Sequence, residues 1–241
     1  MLYKTRGIVL HRIKYGDTSL IAYVYTEKYG RKAYLVKGAY KKNPTIGVTH
    51  FRPLQLLDME VYNKSGHNLQ KIKEVVINPP LTSISVNPVK NTISLFIAEV
   101  LYRTIREEEA NKNLFSFLYN AIQLFDIKNS NIDDFHLIFL VQLSKYLGFF
   151  PTNNFNAQNT IFDLINGKFV NAIPLHGKYI SMEIAHDLSI LMNKSMDLKE
   201  ELFNNKNRRI VLLEVLSEFY YLHAEGTGRI KSLRILKEIF A

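Results

Sequence analysis

The 241-residue sequence contains no cysteine and no tryptophan, and it has only 7 prolines. Without cysteine the chain has no disulfide, no thiolate zinc ligand and no cysteine nucleophile, which fits a reducing compartment. No apolar run reaches the ~18 residues of a membrane span, and Lys4 and Arg6 interrupt any apolar signal segment at the start. We therefore expect a cytoplasmic protein that does not contact a membrane.

Familiar catalytic motifs are absent as well. There is no Gly-x-x-x-x-Gly-Lys-Ser/Thr phosphate loop and no Gly-x-Ser-x-Gly nucleophile elbow. None of the 7 histidines lies three or four residues from another, so the spacing of a zinc hydrolase is missing. The segment Gly226-Thr227-Gly228-Arg229 lacks the third glycine of a dinucleotide fingerprint, and we interpret it as a turn that ends a helix. The sequence predicts no cofactor, no metal and no enzymatic activity.

Two clusters of carboxylates keep one catalytic alternative open. They are Glu107-Glu108-Glu109 and Asp133-Asp134. We interpret the aspartates as the start of a helix, where negative charge is favourable, and the glutamates as a solvated loop. The alternative is a metal-dependent nuclease, which brings scattered carboxylates together around Mg²⁺.

Positive charge is confined to the first third of the chain. Residues 1–80 hold 14 lysines and arginines against 5 aspartates and glutamates, whereas residues 81–241 hold 17 of each class. Eight of the 14 tyrosines also precede residue 63. A polyanion is attracted to such a segment, and exposed aromatic rings stack on bases. A solvated surface on an ordinary basic protein is the other interpretation.

The pattern of apolar residues predicts an α+β chain with two domains. Five β-type runs, at 5–15, 19–26, 32–37, 54–62 and 69–77, are separated by turn residues and predict a small closed barrel in residues 1–80, either an OB-fold or an SH3-like barrel. Residues 81–241 predict a helical domain with helices at 87–106, 112–126, 133–148, 181–192, 197–204, 207–223 and 231–240. Between them, 151–180 predicts an irregular insertion with a small hairpin at 162–169.

The candidate nucleic-acid site lies on the predicted barrel. Four cations of the first strand have even residue numbers, so they lie on one face of the strand unless a bulge intervenes. They are Lys4, Arg6, Arg12 and Lys14. Tyr15, Tyr34 and Tyr40 are interleaved with the cations and are candidates for stacking, while Tyr23 and Tyr25 are expected in the barrel wall. The predicted DNA-binding residues are Arg6, Arg12, Lys14, Arg31, Lys32, Lys37, Tyr40, Lys41, Lys42 and Arg52. A possible secondary basic patch consists of Arg229, Lys231, Arg234 and Lys237.

Four segments near the start and one at the end carry a resemblance. They are Thr5-Arg6-Gly7-Ile8-Val9-Leu10, Tyr15-Gly16-Asp17-Thr18-Ser19-Leu20, Thr26-Glu27-Lys28-Tyr29-Gly30-Arg31, Val36-Lys37-Gly38-Ala39, and Leu222-His223 followed by Arg229-Ile230-Lys231-Ser232-Leu233-Arg234-Ile235-Leu236. In this order the set resembles the bacterial DNA repair protein RecO family over effectively the whole chain. The resemblance implies an N-terminal OB-fold, a C-terminal helical domain and a non-enzymatic recombination mediator.

The same resemblance implies specific partners. They are single- and double-stranded DNA, RecR, and the acidic C-terminal tail of single-stranded-DNA-binding protein. The resemblance also implies that the protein anneals complementary strands, that these steps together help load RecA on coated DNA, and that the protein is associated with the nucleoid during repair. Many family members carry a four-cysteine zinc module where this chain has residues 151–180, and its absence here means that no zinc is carried over. We expect Phe155, Phe162 and Phe169 to hold that insertion instead. An RNA-binding OB-fold protein of translation or ribosome assembly remains the alternative to the mediator.

Overall fold

The computed structural model describes residues 1–64, 66–197 and 200–240, without the side chain of Phe240. It consists of two compact units, residues 1–126 and the residues from 127 onward. In the described part of the chain, no helix is both long enough and apolar enough to cross a membrane.

The first unit opens with five strands that close into a barrel. They are β1 (Leu2–Tyr15), β2 (Ser19–Thr26), β3 (Gly30–Val36), β4 (Leu56–Tyr62) and β5 (Leu69–Ile77), in the order β1-β2-β3-β5-β4. All neighbours are antiparallel except β3 and β5, which pair in parallel from Ala33 opposite Leu69 to Leu35 opposite Lys71. The five-stranded OB-type barrel is therefore confirmed, with strand ends within three residues of those predicted.

The barrel interior is filled by the inward residues of each strand. On β2 these are Leu20, Ala22 and Val24, which alternate with less buried residues as expected for a half-buried strand. Tyr25, on the other face of β2, is buried against Phe115, with ring centres 6.2 Å apart. The expectation that Tyr25 belongs to the barrel wall is thus confirmed.

Three helices complete the first unit: α1 (Thr82–Val86), α2 (Pro88–Thr104) and α3 (Lys112–Ile127), the last reaching the unit boundary. Asn87 caps α2 as predicted, because its side-chain oxygen accepts a hydrogen bond of 3.1 Å from the backbone N–H of Lys90. Lys90 is buried, and its ammonium donates to Ser83 Oγ (2.6 Å) and to the carbonyl oxygen of Asp126 (2.8 Å). These bonds tie α1, α2 and the end of α3 together.

The second unit contains four helices and a small sheet in its described residues. The helices are α4 (Phe135–Tyr146), α5 (Met182–Met192), α6 (Lys206–His223) and α7 (Ser232–Phe240), and the strands β6 (Ile161–Asp163), β7 (Lys168–Val170) and β8 (Tyr179–Ile180) pair in the order β7-β6-β8. Helix α4 is buried on nearly every side, as its apolar pattern predicts. Gly226 (φ +67°) and Gly228 (φ +60°) follow α6, which confirms the predicted turn.

One predicted helix is wrong. Of the residues 197–204, the structure describes all but Leu198 and Lys199, and the described ones are not helical. The backbone N–H of Leu202 instead donates a 2.9 Å hydrogen bond to the carboxylate of Asp134, and Phe203 is buried. A tertiary contact therefore outweighs the local helix preference of this segment.

The insertion at 151–180 is held by aromatic side chains, as expected. The predicted hairpin forms as β6 and β7, and β8 adds a third strand that the sequence pattern does not predict. The ring of Phe169 lies 5.4 Å from that of Phe155 and 4.9 Å from that of Phe162. Edge-to-face contacts of this kind stabilise a cluster beyond its burial alone.

Candidate nucleic-acid interface

The basic residues of the first unit divide into those engaged inside the protein and those that face solvent. Arg6 belongs to the first group. Its Nε and one terminal nitrogen donate to the two carboxylate oxygens of Glu27 at 2.9 and 2.7 Å, and its guanidinium lies 4.7 Å from the centre of the Tyr119 ring. The hydrogen bonds raise the pKa of Arg6 and lower the pKa of Glu27. Arg6 therefore joins β1 to the turn after β2 and to α3.

Arg31 and Lys32 are engaged in the same way. Arg31 donates to the carbonyl oxygens of Tyr102 (2.8 Å) and Ile105 (3.0 Å) at the end of α2, and burial lowers its pKa. The ammonium of Lys32 lies 2.6 Å from a carboxylate oxygen of Glu108, and the Lys32 side chain is only 16% exposed. Both residues hold the barrel against the segment that follows α2.

The expectation of one shared basic face on β1 is wrong. A bulge interrupts the pairing with β2 between Val9 and His11. Beyond it, Arg12 lies opposite Ala22 and Lys14 opposite Leu20, and both partners belong to the barrel interior. Paired residues point to the same face of a sheet. The bulge therefore places Arg12 and Lys14 on the face of β1 that points into the end of the barrel, opposite to the face that carries Lys4 and Arg6.

Several solvent-facing cations lie together in a cleft of about 430 Å³, which we call the lysine cleft. Its lining includes Lys37, Lys41, Lys71 and Lys73, together with Asn43 to Ile46. Lys73 is partly neutralised, because its ammonium lies 3.1 Å from Glu60 and 3.6 Å from Glu74. Lys37, Lys41 and Lys71 are exposed and have no carboxylate partner among the described residues.

The loop after β3 gives the lysine cleft one of its walls. The backbone N–H of Tyr40 donates 3.0 Å to the carbonyl oxygen of Thr18, which ties this loop to the β1–β2 turn. Gly38 adopts φ +70°, and a Cβ there would lie 3.1 Å from Cδ of Lys41, so glycine allows the lysine stem to lie across the turn. Tyr40 is 42% exposed and Tyr15 is 53% exposed, and in the sequence they lie close to the exposed Lys42 and Lys14.

Tyr34 is not available for stacking on a base. It is buried in the barrel core, and this burial raises the pKa of its hydroxyl. Tyr23 faces the other side of β2, where its ring lies 5.0 Å from that of Tyr102. Of the interleaved tyrosines, only Tyr15 and Tyr40 thus present an exposed ring.

The sequence reasoning missed Lys71 and Lys73. Their odd numbers place them on one face of β5, and that alternation is visible in the sequence. The parallel pairing of β3 with β5 is what sets Lys71 opposite Leu35, two residues from Lys37. No local pattern specifies this pairing.

Arg52 and the residues of the secondary basic patch also lie at the surface. Arg52 is exposed beside the 3₁₀ turn Val48–Phe51. In the patch, Arg229 and Lys231 are exposed, Arg234 lies 3.7 Å from Glu238, and Lys237 pairs with Glu214 of α6. Part of the charge of this patch is therefore used to join α7 to α6.

Carboxylates from both clusters of the nuclease alternative have structural partners. Glu108 pairs with Lys32, and Asp134 is buried with one oxygen 3.0 Å from Nε of Arg209. Within residues 1–64, 66–197 and 200–240, no group of three histidines, aspartates or glutamates is arranged to hold a metal ion.

Comparison with known sequences assigns the family. The family sequence model described as "Recombination protein O N terminal" matches residues 1–80, and the one described as "Recombination protein O C terminal" matches residues 86–234. The chain belongs to the RecO family. Among RecO relatives, a protein of Bacteroides fragilis is 39% identical over 241 residues and one of Flavobacterium psychrophilum is 37% identical over 249 residues, with 100% of both chains covered in each case. Both carry the name "DNA repair protein RecO". The RecO resemblance and its DNA repair class are confirmed.

Proposed function

We propose that this RecO-family chain is a non-enzymatic recombination mediator that binds single- and double-stranded DNA through the lysine cleft. The observation that carries the proposal is the accumulation of Lys37, Lys41 and Lys71 without carboxylate partners in the described residues. Cations of this kind neutralise phosphates and release condensed counterions. Tyr15 and Tyr40 add exposed rings on which unpaired bases stack in a sequence-tolerant way.

The mechanism that we propose for strand annealing is electrostatic. Two complementary strands repel each other through their phosphates, and cations along the barrel lower this repulsion so that base pairing proceeds. No bond is made or broken by the protein. Glu108 is paired with Lys32 and Asp134 with Arg209. These ion pairs support the non-enzymatic mechanism, because both carboxylates already neutralise a cation of the protein.

The proposed partners are those that the family resemblance implies. They are RecR and the acidic C-terminal tail of single-stranded-DNA-binding protein, which bring the mediator to coated DNA and help load RecA. The separate basic patch at Arg229, Lys231, Arg234 and Lys237 is a secondary candidate for binding polyanions.

The first test measures binding of a fluorescent single-stranded oligonucleotide as a function of salt. The cleft variant is Lys41→Glu with Lys71→Glu, and its matched control is Lys28→Glu with Lys112→Glu, two exposed lysines of the same unit that do not line the lysine cleft. Each lost phosphate contact reduces the slope of log K against log salt by about 0.7 for a single strand. We expect the cleft variant to lose about 1.4 of this slope and at least about tenfold in affinity, with the control close to the wild type.

The second test distinguishes the mediator from an RNA-binding protein. Annealing is followed with two complementary oligonucleotides, one of them coated with the cognate single-stranded-DNA-binding protein. Acceleration by the wild type and the control, but not by the cleft variant, supports the proposal. Equal DNA binding by the cleft and control variants contradicts the proposed site, and a strong preference for structured RNA over single-stranded DNA contradicts the proposed function.

A further inference from the structure

A second concave site lies within the first unit, between the barrel and its helices. It is a pocket of about 260 Å³ whose lining includes Arg12, Arg52, Gln55, Ile84, Ser94 and Leu95, and we call it the Gln55 pocket. None of its lining residues belongs to the lysine cleft. The charge pattern of the sequence already marks Arg12 and Arg52 as candidate DNA-binding residues, but neither it nor the family comparisons point to Gln55 or to the apolar residues of this pocket.

The side chain of Gln55 is a buried donor without an acceptor. Gln55 is only 5% exposed, and its amide nitrogen Nε2 has no hydrogen-bond partner in the part of the chain that the structure describes. Its backbone is held in place, because its N–H donates to the carbonyl oxygen of Arg52 (3.1 Å) and its own carbonyl oxygen accepts from Val9 (3.0 Å). Buried polar groups are nearly always hydrogen-bonded, so this amide is complementary to a ligand that carries an acceptor.

The positive charge of the pocket also favours a ligand that carries hydrogen-bond acceptors. Arg12 is positioned by a 2.6 Å hydrogen bond to the carbonyl oxygen of Val48, which leaves further N–H groups of its guanidinium unused. Arg52 is exposed, and no carboxylate lines the pocket. Two guanidinium groups without an acidic neighbour in the lining are the arrangement that binds phosphate.

Part of the remaining wall is apolar, beside the polar residues Ser85, Asn91 and Ser94. Ile84 and Leu95 line the pocket from α1 and α2, and Leu95 is 41% exposed although it is a large apolar residue. An apolar wall suits the flat face of a base, and an amide donor suits the carbonyl and ring-nitrogen acceptors on its edge. The volume lies just below the ~300–1,000 Å³ of pockets for drug-sized ligands, which limits the ligand to about one nucleotide.

We propose that the Gln55 pocket binds one unpaired nucleotide of a DNA strand. A turn of the Gln55 side chain brings its Nε2, which is fully covered in the structure, to the edge of the base. The base lies against Ile84 and Leu95, and the phosphate is bound by Arg12 and Arg52. This inference rests on the proposed function, because it assigns a second contact of the same strand. A base in a duplex has its pairing edge occupied and must be unstacked and unpaired before it can enter, so the pocket favours single strands over duplexes.

The test compares two oligonucleotides with equal numbers of phosphates, one of thymidines and one of abasic sites. We expect Gln55→Leu to weaken thymidine binding about fivefold and to leave abasic binding unchanged. Leu95→Glu, which adds a carboxylate at the pocket, should weaken both, whereas the matched Val86→Glu, exposed on α1 outside the pocket, should weaken neither. Circular dichroism melting of each variant shows that it is folded.

A measurement on the wild-type protein complements the variants. An oligonucleotide with 4-thiothymidine is photo-crosslinked, and the modified peptide is identified by mass spectrometry. Crosslinks to 52–55 or 84–95 support the pocket. Crosslinks only to 37–47 or 71–73, together with unchanged binding by Gln55→Leu and Leu95→Glu, overturn it and leave the proposed function intact. If the wild type binds no single strand at any salt concentration, the proposed function fails and the pocket assignment fails with it.

Discussion

The guanidinium of Arg31 lies 4.3 Å from the centre of the Tyr102 ring, and it donates a 2.8 Å hydrogen bond to the carbonyl oxygen of the same residue. A second bond reaches the carbonyl oxygen of Ile105. The last carbonyl groups of a helix have no partner within the helix, and a cation placed there satisfies them. A basic residue that the charge pattern assigns to DNA is therefore a structural link between β3 and α2.

Replacing Arg31 should lower stability. Arg31→Ala leaves two carbonyl groups without their donor and removes a cation–π contact, so we expect the free energy of unfolding to fall by about 2–3 kcal/mol. Urea denaturation measures this change, and Lys28→Ala, an exposed lysine of the same unit, should change it by less than about 0.5 kcal/mol. A loss for Arg31→Ala no larger than that of the control would contradict the structural role.

Gly30 makes a close approach that a side chain would obstruct. It adopts φ +61°, and a Cβ there would collide with the backbone of Glu107 and Glu109. Gly16 has the same φ of +61° but open space around the corresponding position. Gly16→Ala should therefore cost only the ~1–2 kcal/mol of a left-handed residue, and Gly30→Ala should cost distinctly more because the backbone must also move. Thermal unfolding of both variants measures the two losses of stability. Equal losses would show that the close approach at Gly30 does not affect stability.

The pair of Arg6 and Glu27 should make stability depend on pH. The hydrogen bond from Arg6 lowers the pKa of Glu27 in the folded state, so the folded protein binds fewer protons than the unfolded chain in the acidic range. The stabilisation is complete above the ordinary pKa of a glutamate and is lost as the pH falls through the lowered value. Since both side chains are partly exposed, we expect about 1 kcal/mol or less at neutral pH.

The measurement for this pair is the difference in stability between the wild type and Glu27→Gln from neutral pH downward. The difference should shrink as the pH falls. Glu109→Gln, a change at an exposed glutamate, should give a curve parallel to the wild type. A difference that stays constant into the acidic range would refute the ion pair as its source.

Asp134 should prove structural in the second unit. Both of its oxygens have partners, Nε of Arg209 at 3.0 Å and the N–H of Leu202 at 2.9 Å. Asp134→Ala leaves a buried guanidinium with fewer anions around it, and we expect a loss of about 3 kcal/mol. Asp133→Ala should cost less than about 1 kcal/mol, because this half-exposed carboxylate lies 3.9 Å from Arg209. Urea denaturation measures both losses. The nuclease alternative instead requires magnesium-dependent cleavage, which both substitutions would abolish without changing the free energy of unfolding.

Much of the fold follows from local patterns. The alternation on β2, the Asn87-Pro88 start of α2 and the apolar positions of α4 all correspond to elements that the structure contains. The assigned roles of individual cations were less predictable. The parity rule on β1 failed at the Val9–His11 bulge, and it placed Arg12 and Lys14 on the wrong face. A bulge of one residue leaves no clear mark in the sequence, but it inverts every side chain beyond it.

The sequence by itself determined the strand and helix segments, the basic first third and the family, because each of these depends on composition or on residues that are neighbours in the chain. The tertiary structure decided which cations remain available to a ligand. Arg6, Arg31 and Lys32 are drawn into contacts with Glu27, the end of α2 and Glu108. The parallel pairing of β3 with β5 brings Lys71 beside the loop that carries Lys41. Such pairings join residues far apart in the chain, and their energies depend on distances that exist only once the barrel has closed.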